Sequence, residues 1–303
     1  MPTSTSCSYQ TRWPELVSPY YRSLATSAPG DPIAAQFAYN PEEDHFDPTC
    51  QGDPFGECTR AAFFPGVKRR FPDRVLIMVS HACAVHCRHC TRKNLLGVEN
   101  PVCTDLSGAL KRIKECPEIR EILLSGGDPL MLEPGRIVPI VEACAALEQV
   151  DAVRIGTRVP VVDPDRIVPH LAAALGQSKK VWVNTQFNHP KEITPAAARA
   201  CGRLVDAGIP VSNQSVLLRG INDSVETMVA LCAGLQRIRV RPYYVFQCDP
   251  VQGTAHFRVE AARAREIARE VTRRLGGLAV PRFVIDRPGE ACKTPLRMGI
   301  EAD

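Results

Sequence analysis

The sequence predicts an α/β fold: a partial (open) parallel β/α barrel of about six units behind an irregular to helical N-terminal arm. Three observations carry that prediction. From Arg70 onward, short apolar runs alternate with longer amphipathic stretches almost to the C-terminus. Residues 1–66 lack this alternation and are rich in Pro, Gly and Asp. The chemistry-bearing residues also sit just after the apolar runs, where the loops at the carboxyl ends of barrel strands converge on one mouth.

Taken in order, the arm (1–66) holds an acidic stretch, Glu42, Glu43 and Asp44, and a Gly52-Asp53-Pro54 turn signal. The barrel segment (67–303) opens with a strand at Val75–Val79. Further strands are expected at Glu121–Leu124, Ala152–Ile155, Val181–Asn184, Val211–Leu218, Arg241–Phe246 and Arg282–Ile285. Helices are expected near 104–115, 133–148, 164–175, 194–207, 223–237 and 259–275. Repeated strand–helix units pair their strands in parallel through right-handed crossovers, which puts the helices outside the sheet. Six such units with a closing strand suit an open barrel better than a doubly wound sheet.

Composition narrows the function. With 45% hydrophobic and 23% charged residues among 303, the chain can bury a large core. A net charge of +4, with 37 basic residues spread along the chain, leaves no footprint for nucleic acid or a membrane surface, so a small-molecule partner is expected. The polar stretch Met1 to Gln10 has no apolar h-region, and no run approaches the roughly 18 apolar residues of a membrane span, which reads as a cytoplasmic protein. Thirteen cysteines in such a chain are then reduced thiols, metal ligands or core residues rather than disulfides.

The stretch His81-Ala82-Cys83-Ala84-Val85-His86-Cys87-Arg88-His89-Cys90 places three thiols at C-x3-C-x2-C, directly after the first core strand. Three ligands from one short loop can hold three irons of a [4Fe–4S] cube and leave the fourth without a protein ligand. That corner could chelate the amino and carboxylate groups of S-adenosylmethionine and pass one electron into the sulfonium, giving a 5′-deoxyadenosyl radical. A structural zinc site and plain packing are the rivals. Zinc favours four ligands in paired spacing, and no second C-x2-C follows. Downstream, Ser125-Gly126-Gly127-Asp128 follows a strand, where paired glycines let the backbone approach a ligand and expose amide donors.

The cysteine loop, the following Thr91-Arg92-Lys93, and Leu124-Ser125-Gly126-Gly127-Asp128-Pro129-Leu130 resemble the radical S-adenosylmethionine superfamily and, within it, the lysine 2,3-aminomutase family. The similarity continues through Arg154 to Arg158, Asn184 to Pro190, Asn213 to Gly220 and Lys293-Thr294-Pro295, roughly residues 65–296. It implies an isomerase that interconverts L-lysine and β-lysine by a radical 1,2-amino shift, using a [4Fe–4S] cluster, S-adenosylmethionine and pyridoxal 5′-phosphate. Cys83, Cys87 and Cys90 would be the cluster ligands. Ser125, Gly126, Gly127 and Asp128 would meet the methionine amino group, and Lys293 would anchor pyridoxal phosphate. Arg70 and Arg74 match the family's phosphate-side arginines, while Asn213 and Gln214 end a strand and can add hydrogen bonds. Gln186 stands where the family commonly has His, towards the adenosyl moiety.

For the substrate, the resemblance implies Arg92 on the carboxylate, with Asp249 and Asp286 on a distal ammonium. Physical chemistry points the same way: two aspartates in a closed, largely dry pocket leave uncompensated charge unless a cation enters, which selects a basic side chain. L-lysine is the expected substrate. Arginine, a role in attaching β-lysine to elongation factor P, and a non-catalytic iron–sulfur redox or interaction protein stay open. A flavodoxin or ferredoxin is the expected electron donor, and a homo-oligomer is left open.

Overall fold

The computed structural model describes residues 13–58, 62–95, 101–287, 290 and 292–296. Residues 1–12 of the expected arm, and Ala291 next to the lysine motif, lie outside them.

Among the described residues the sheet has nine strands, which keep chain order throughout. β1 (Val67–Phe71) is antiparallel to β2 (Arg74–Ser80). From β2 the sheet continues in parallel through β3 (Glu121–Gly126), β4 (Ala152–Gly156), β5 (Val181–Thr185), β6 (Val211–Leu217), β7 (Arg241–Gln247) and β8 (Arg282–Ile285). β9 (Thr294–Pro295) lies antiparallel on β8. The arm carries the short α1 (Pro19–Ser23). The crossovers carry α2 (Leu106–Lys114), α3 (Pro134–Ala145), the short α4 (Val159–Val162) followed by α5 (Pro169–Gln177), α6 (Pro195–Asp206), α7 (Val225–Arg237) and α8 (Ala261–Arg274). The predicted strand–helix units and closing strand are all present, and the sheet is open, with β1 and β9 as its edges.

The edge strands are the part not foreseen. Val67-Lys68-Arg69-Arg70-Phe71 offers no apolar run, and its cationic side chains suit an edge exposed on one side. Inside the sheet the logic reverses: Val75, Ile77, Met78 and Val79 are all buried, as a parallel strand covered on both faces requires. Three of the outer helices, α6, α7 and α8, bury a stripe at i, i+3, i+4 and i+7. In α6 this is Ala197, Ala200, Cys201 and Leu204; in α7, Met228, Leu231, Cys232 and Leu235; in α8, Ala264, Ile267, Ala268 and Val271. Cys201 and Cys232 are therefore core residues, and burial pushes both thiols up to about 12. Asp105, Thr194 and Ser224 cap α2, α6 and α7 by accepting from the amides of Gly108, Ala197 and Thr227, each contributing about 1 kcal/mol. The cysteines among the described residues are all free thiols.

The arm packs onto the barrel. Its Tyr21, Ile33 and Phe37 belong to the same apolar core as the sheet. Isolated bridges pair Val17 with Val85 in the cysteine loop and Gln51 with Val251 beyond β7. These two attachments carry the arm across the end of the barrel where the strands terminate. Among the described residues no helix is long and apolar enough to cross a membrane.

Candidate active site

A cavity of about 460 Å³ opens at the carboxyl ends of the strands, under the arm. Cys83, Cys87 and Cys90 line one side; Asp249, Asp286 and Lys293 line the other. Of the site residues named from sequence, all but Asn213 face this space.

The cysteine loop follows β2 and is held in place by buried charge. Arg88 donates to both carboxylate oxygens of Glu43, and Lys93 Nζ donates to the same carboxylate at 2.9 Å and to the Gly253 carbonyl at 3.0 Å. The three thiols are electrostatic neighbours: burial first, and the other thiols second, push Cys83 up, and the same causes push Cys90 up to about 11. Two crowded thiols, Cys83 and Cys90, that resist deprotonation alone fit a site completed by iron, whose positive charge favours thiolates. Among the described residues no three such side chains converge on one ion-sized point, and a cube held at its corners does not ask them to.

Arg158, which follows β4, was not given a role from sequence. Its Nη1 donates to Cys87 Sγ at 2.9 Å and its Nη2 to Glu192 at 2.8 Å and to the Tyr21 hydroxyl at 2.9 Å. Gln36 accepts from the same nitrogen. Tyr21, Gln36 and Glu192 have no exposed surface, so the arm and the loop after β5 brace the residue that touches the Cys87 thiol. The signal in the sequence was position alone, an arginine directly after a strand.

The glycine pair turns out to serve the cysteine loop. Gly126 has φ +136°, and a Cβ there would lie 2.1 Å from the Ser80 carbonyl oxygen; at Gly127 it would lie 2.4 Å from the Ala82 carbonyl oxygen. The amides of Gly127 and Asp128 donate to those carbonyls, both at 2.7 Å. The expectation of amides free for a ligand is thus corrected: two chain segments cross too closely for side chains, and the donors are used between them. The Asp128 carboxylate is likewise engaged, accepting from Thr157 Oγ1 at 2.6 Å and the Arg158 amide at 2.6 Å, although burial still raises its carboxyl.

Gln186, at the end of β5, lines the cavity and its Nε2 lies 3.4 Å from His89 Nε2. Burial first, and Arg158 second, hold that imidazole well below its usual range, so it stays neutral. Asn213 is the second correction. Its side chain accepts from the Phe187 amide at 2.6 Å and donates to the Phe187 carbonyl at 3.1 Å and to Ser215 at 2.8 Å, so β6 uses it to clamp the loop after β5. Gln214, its neighbour on the opposite strand face, lines the cavity instead.

Across the cavity, Arg70 on β1 grips Asp286 with both terminal nitrogens, Nη1 at 3.0 Å. That partner replaces the free guanidinium expected for a phosphate. Arg74 lines the same space with its Nε on Asp73 at 3.0 Å. Among the described residues Asp249 has no such partner; burial first, and Asp286 second, push its carboxyl up to about 7. Lys293 Nζ lies over the rings of Phe71, Tyr244 and Phe246 at 5.3, 5.7 and 5.9 Å, and burial lowers its pKa. On the other wall, Glu57 of the arm engages Arg92. No sequence signal had marked Glu57.

A cysteine-bearing loop at the mouth of an open parallel β/α barrel defines a radical enzyme of the iron–sulfur class. The Radical SAM superfamily matches residues 77–232. The chain is 42% identical to the L-lysine 2,3-aminomutase of Acetoanaerobium sticklandii across 92% of this chain and 68% of that protein. It is 36% identical to the glutamate 2,3-aminomutase of Clostridioides difficile across 95% of this chain and 68% of that protein. In fold it is similar to Streptococcus suis SuiB bound to S-adenosylmethionine, with a TM-score of 0.53 at 15% identity over 71% of this chain and 51% of that one. The chain belongs to the lysine 2,3-aminomutase family of the radical SAM superfamily and is an isomerase. It spans about two thirds of the length of the curated relatives it matches. The family's cofactors are a [4Fe–4S] cluster, S-adenosylmethionine and pyridoxal phosphate.

Proposed function

We propose that this chain interconverts L-lysine and β-lysine by moving the amino group between C2 and C3. The observation that carries this reading is one cavity shared by the three cysteines, Lys293 and the two aspartates. When bound, the cluster and S-adenosylmethionine would supply a hydrogen-abstracting radical, and pyridoxal phosphate would stabilise a radical rather than a carbanion.

The chain's own residues hold and orient these partners. Cys83, Cys87 and Cys90 take three irons, while Ser125 to Asp128 and Gln186 bound the space beside them. Lys293 anchors pyridoxal phosphate; a lowered pKa leaves more of its amine neutral, the form that attacks a carbonyl. Arg74 and Gln214 suit the phosphate, and Arg92 the substrate carboxylate. Arg70 neutralises Asp286, so once Lys293 carries the cofactor the pair of aspartates retains one uncompensated charge. One distal ammonium completes it, whereas the side-chain carboxylate of glutamate is repelled. The electron comes from a donor of the flavodoxin or ferredoxin class, in a cytoplasm that keeps the thiols reduced.

The test is to incubate the anaerobically reconstituted protein with L-lysine, L-arginine and L-glutamate separately and identify β-isomers by mass spectrometry. β-Lysine is expected, with S-adenosylmethionine regenerated. β-Glutamate as the main product would overturn the substrate, and stoichiometric consumption of S-adenosylmethionine would overturn the mutase reaction.

A further inference from the structure

Glu57 and Arg92 form a side-on pair on the wall of the cavity, with side-chain exposures of 17% and 15%. Arg92 Nε donates to Glu57 Oε2 at 2.7 Å and Nη2 to Oε1 at 2.8 Å. Nη1 donates to Ser125 Oγ at 3.1 Å. A guanidinium carries five N–H donors. Among the described residues these contacts use three of them and leave one on each terminal nitrogen, donors that a carboxylate can take. Glu57 is pinned in turn. Its amide donates to Asp53 Oδ1 at 2.8 Å, the next amide to Asp53 Oδ2 at 2.8 Å, and its carbonyl accepts from Lys68 Nζ on β1.

We infer that Glu57 is a positioning residue, which holds Arg92 by one edge so that the other edge is presented to the substrate's α-carboxylate. This rests on Arg92 being the carboxylate's partner. Without Glu57, a long, flexible side chain must be ordered by the substrate itself, and that loss of rotamer freedom is taken from binding. The same ion pair has an opposite reading, in which Glu57 fills the place of the substrate carboxylate and has to be displaced. The two differ in sign: removing a positioning group weakens substrate binding, and removing a competitor strengthens it.

The experiment compares reconstituted holoenzymes carrying Glu57→Gln, Glu57→Asp and Arg92→Lys with the parent, after iron and pyridoxal phosphate contents are shown to match. It measures KM and kcat for L-lysine and the inhibition constant of 1,5-diaminopentane, which keeps the amines and lacks the carboxylate. Glu57→Gln should raise KM about tenfold with a smaller change in kcat, Glu57→Asp should fall between, and diaminopentane inhibition should stay within about twofold of the parent. A lowered or unchanged KM in Glu57→Gln overturns the inference, as does an equal loss of diaminopentane binding, which marks a merely structural role. If Arg92→Lys leaves KM unchanged, Arg92 is not the carboxylate's partner and the reading beneath the inference fails. A raised KM in Arg92→Lys with none in Glu57→Gln removes Glu57 alone.

Discussion

Around the cysteine loop the buried charges are paired, whereas across the cavity, where β7 and β8 end, one carboxylate is left over. Glu43 sits between Arg88 and Lys93 with side-chain exposures of 5%, 1% and 4%, and Arg158 meets Glu192 at 6% and 0%. Opposite them, Arg70 is taken by Asp286, and Asp249 is left with a carboxyl pushed up to about 7. The contrast separates two uses of buried charge. Closed pairs fix the geometry of a loop that must not move, and an incomplete set makes a pocket that only the right ligand completes.

The largest effects come from removing the groups that define each side. Cys83→Ala should abolish turnover together with cluster iron and its visible absorbance. Lys293→Ala should lower turnover by at least about 10³-fold while the cluster spectrum remains. A variant that lost neither signal would erase the distinction between the two sides. Next, Glu43→Ala leaves Arg88 and Lys93 as buried cations without their carboxylate, and should destabilise the fold by about 3–5 kcal/mol in denaturant unfolding. A loss below about 1 kcal/mol would mean that the cysteine loop does not depend on its closed charges.

On the open side the change should appear in binding rather than in folding. Asp249→Asn should raise KM for L-lysine by about 10- to 100-fold, or about 1.4–2.8 kcal/mol. The pH dependence follows from the direction of the shift. Below about 7 the carboxyl is protonated and cannot hold an ammonium; above it the carboxylate can. The kcat/KM for lysine should therefore rise between about pH 6 and pH 8 in the parent and lose this rise in Asp249→Asn. The smallest effect is expected at the surface pair Arg120–Asp151, with side-chain exposures of 54% and 62%. Asp151→Asn should alter unfolding free energy by less than about 1 kcal/mol, which separates exposed from buried pairing.

Several features of the site could be read without coordinates. The C-x3-C-x2-C loop, the lysine near the end of the chain and the strand-end aspartates all line the cavity. Others have protein partners that the sequence does not show. Gly126 and Gly127 are small because Ser80 and Ala82 cross them, and Asn213 clamps a backbone segment rather than facing the cavity. Glu57 and Glu192 carry no local pattern that distinguishes them from surface charges, and Arg158 carries only its place after a strand.

By itself the sequence determined the strand–helix alternation, the buried helix stripes and the cysteine loop, because each follows from side-chain spacing within a short window. Only the tertiary structure decided which charge meets which. Arg70 finds Asp286 across 216 positions, Arg158 finds Tyr21 across 137, and Arg88 finds Glu43 across 45. The free energy of a buried charge depends on the groups sharing its dry surroundings, and those groups are assembled by the packed chain.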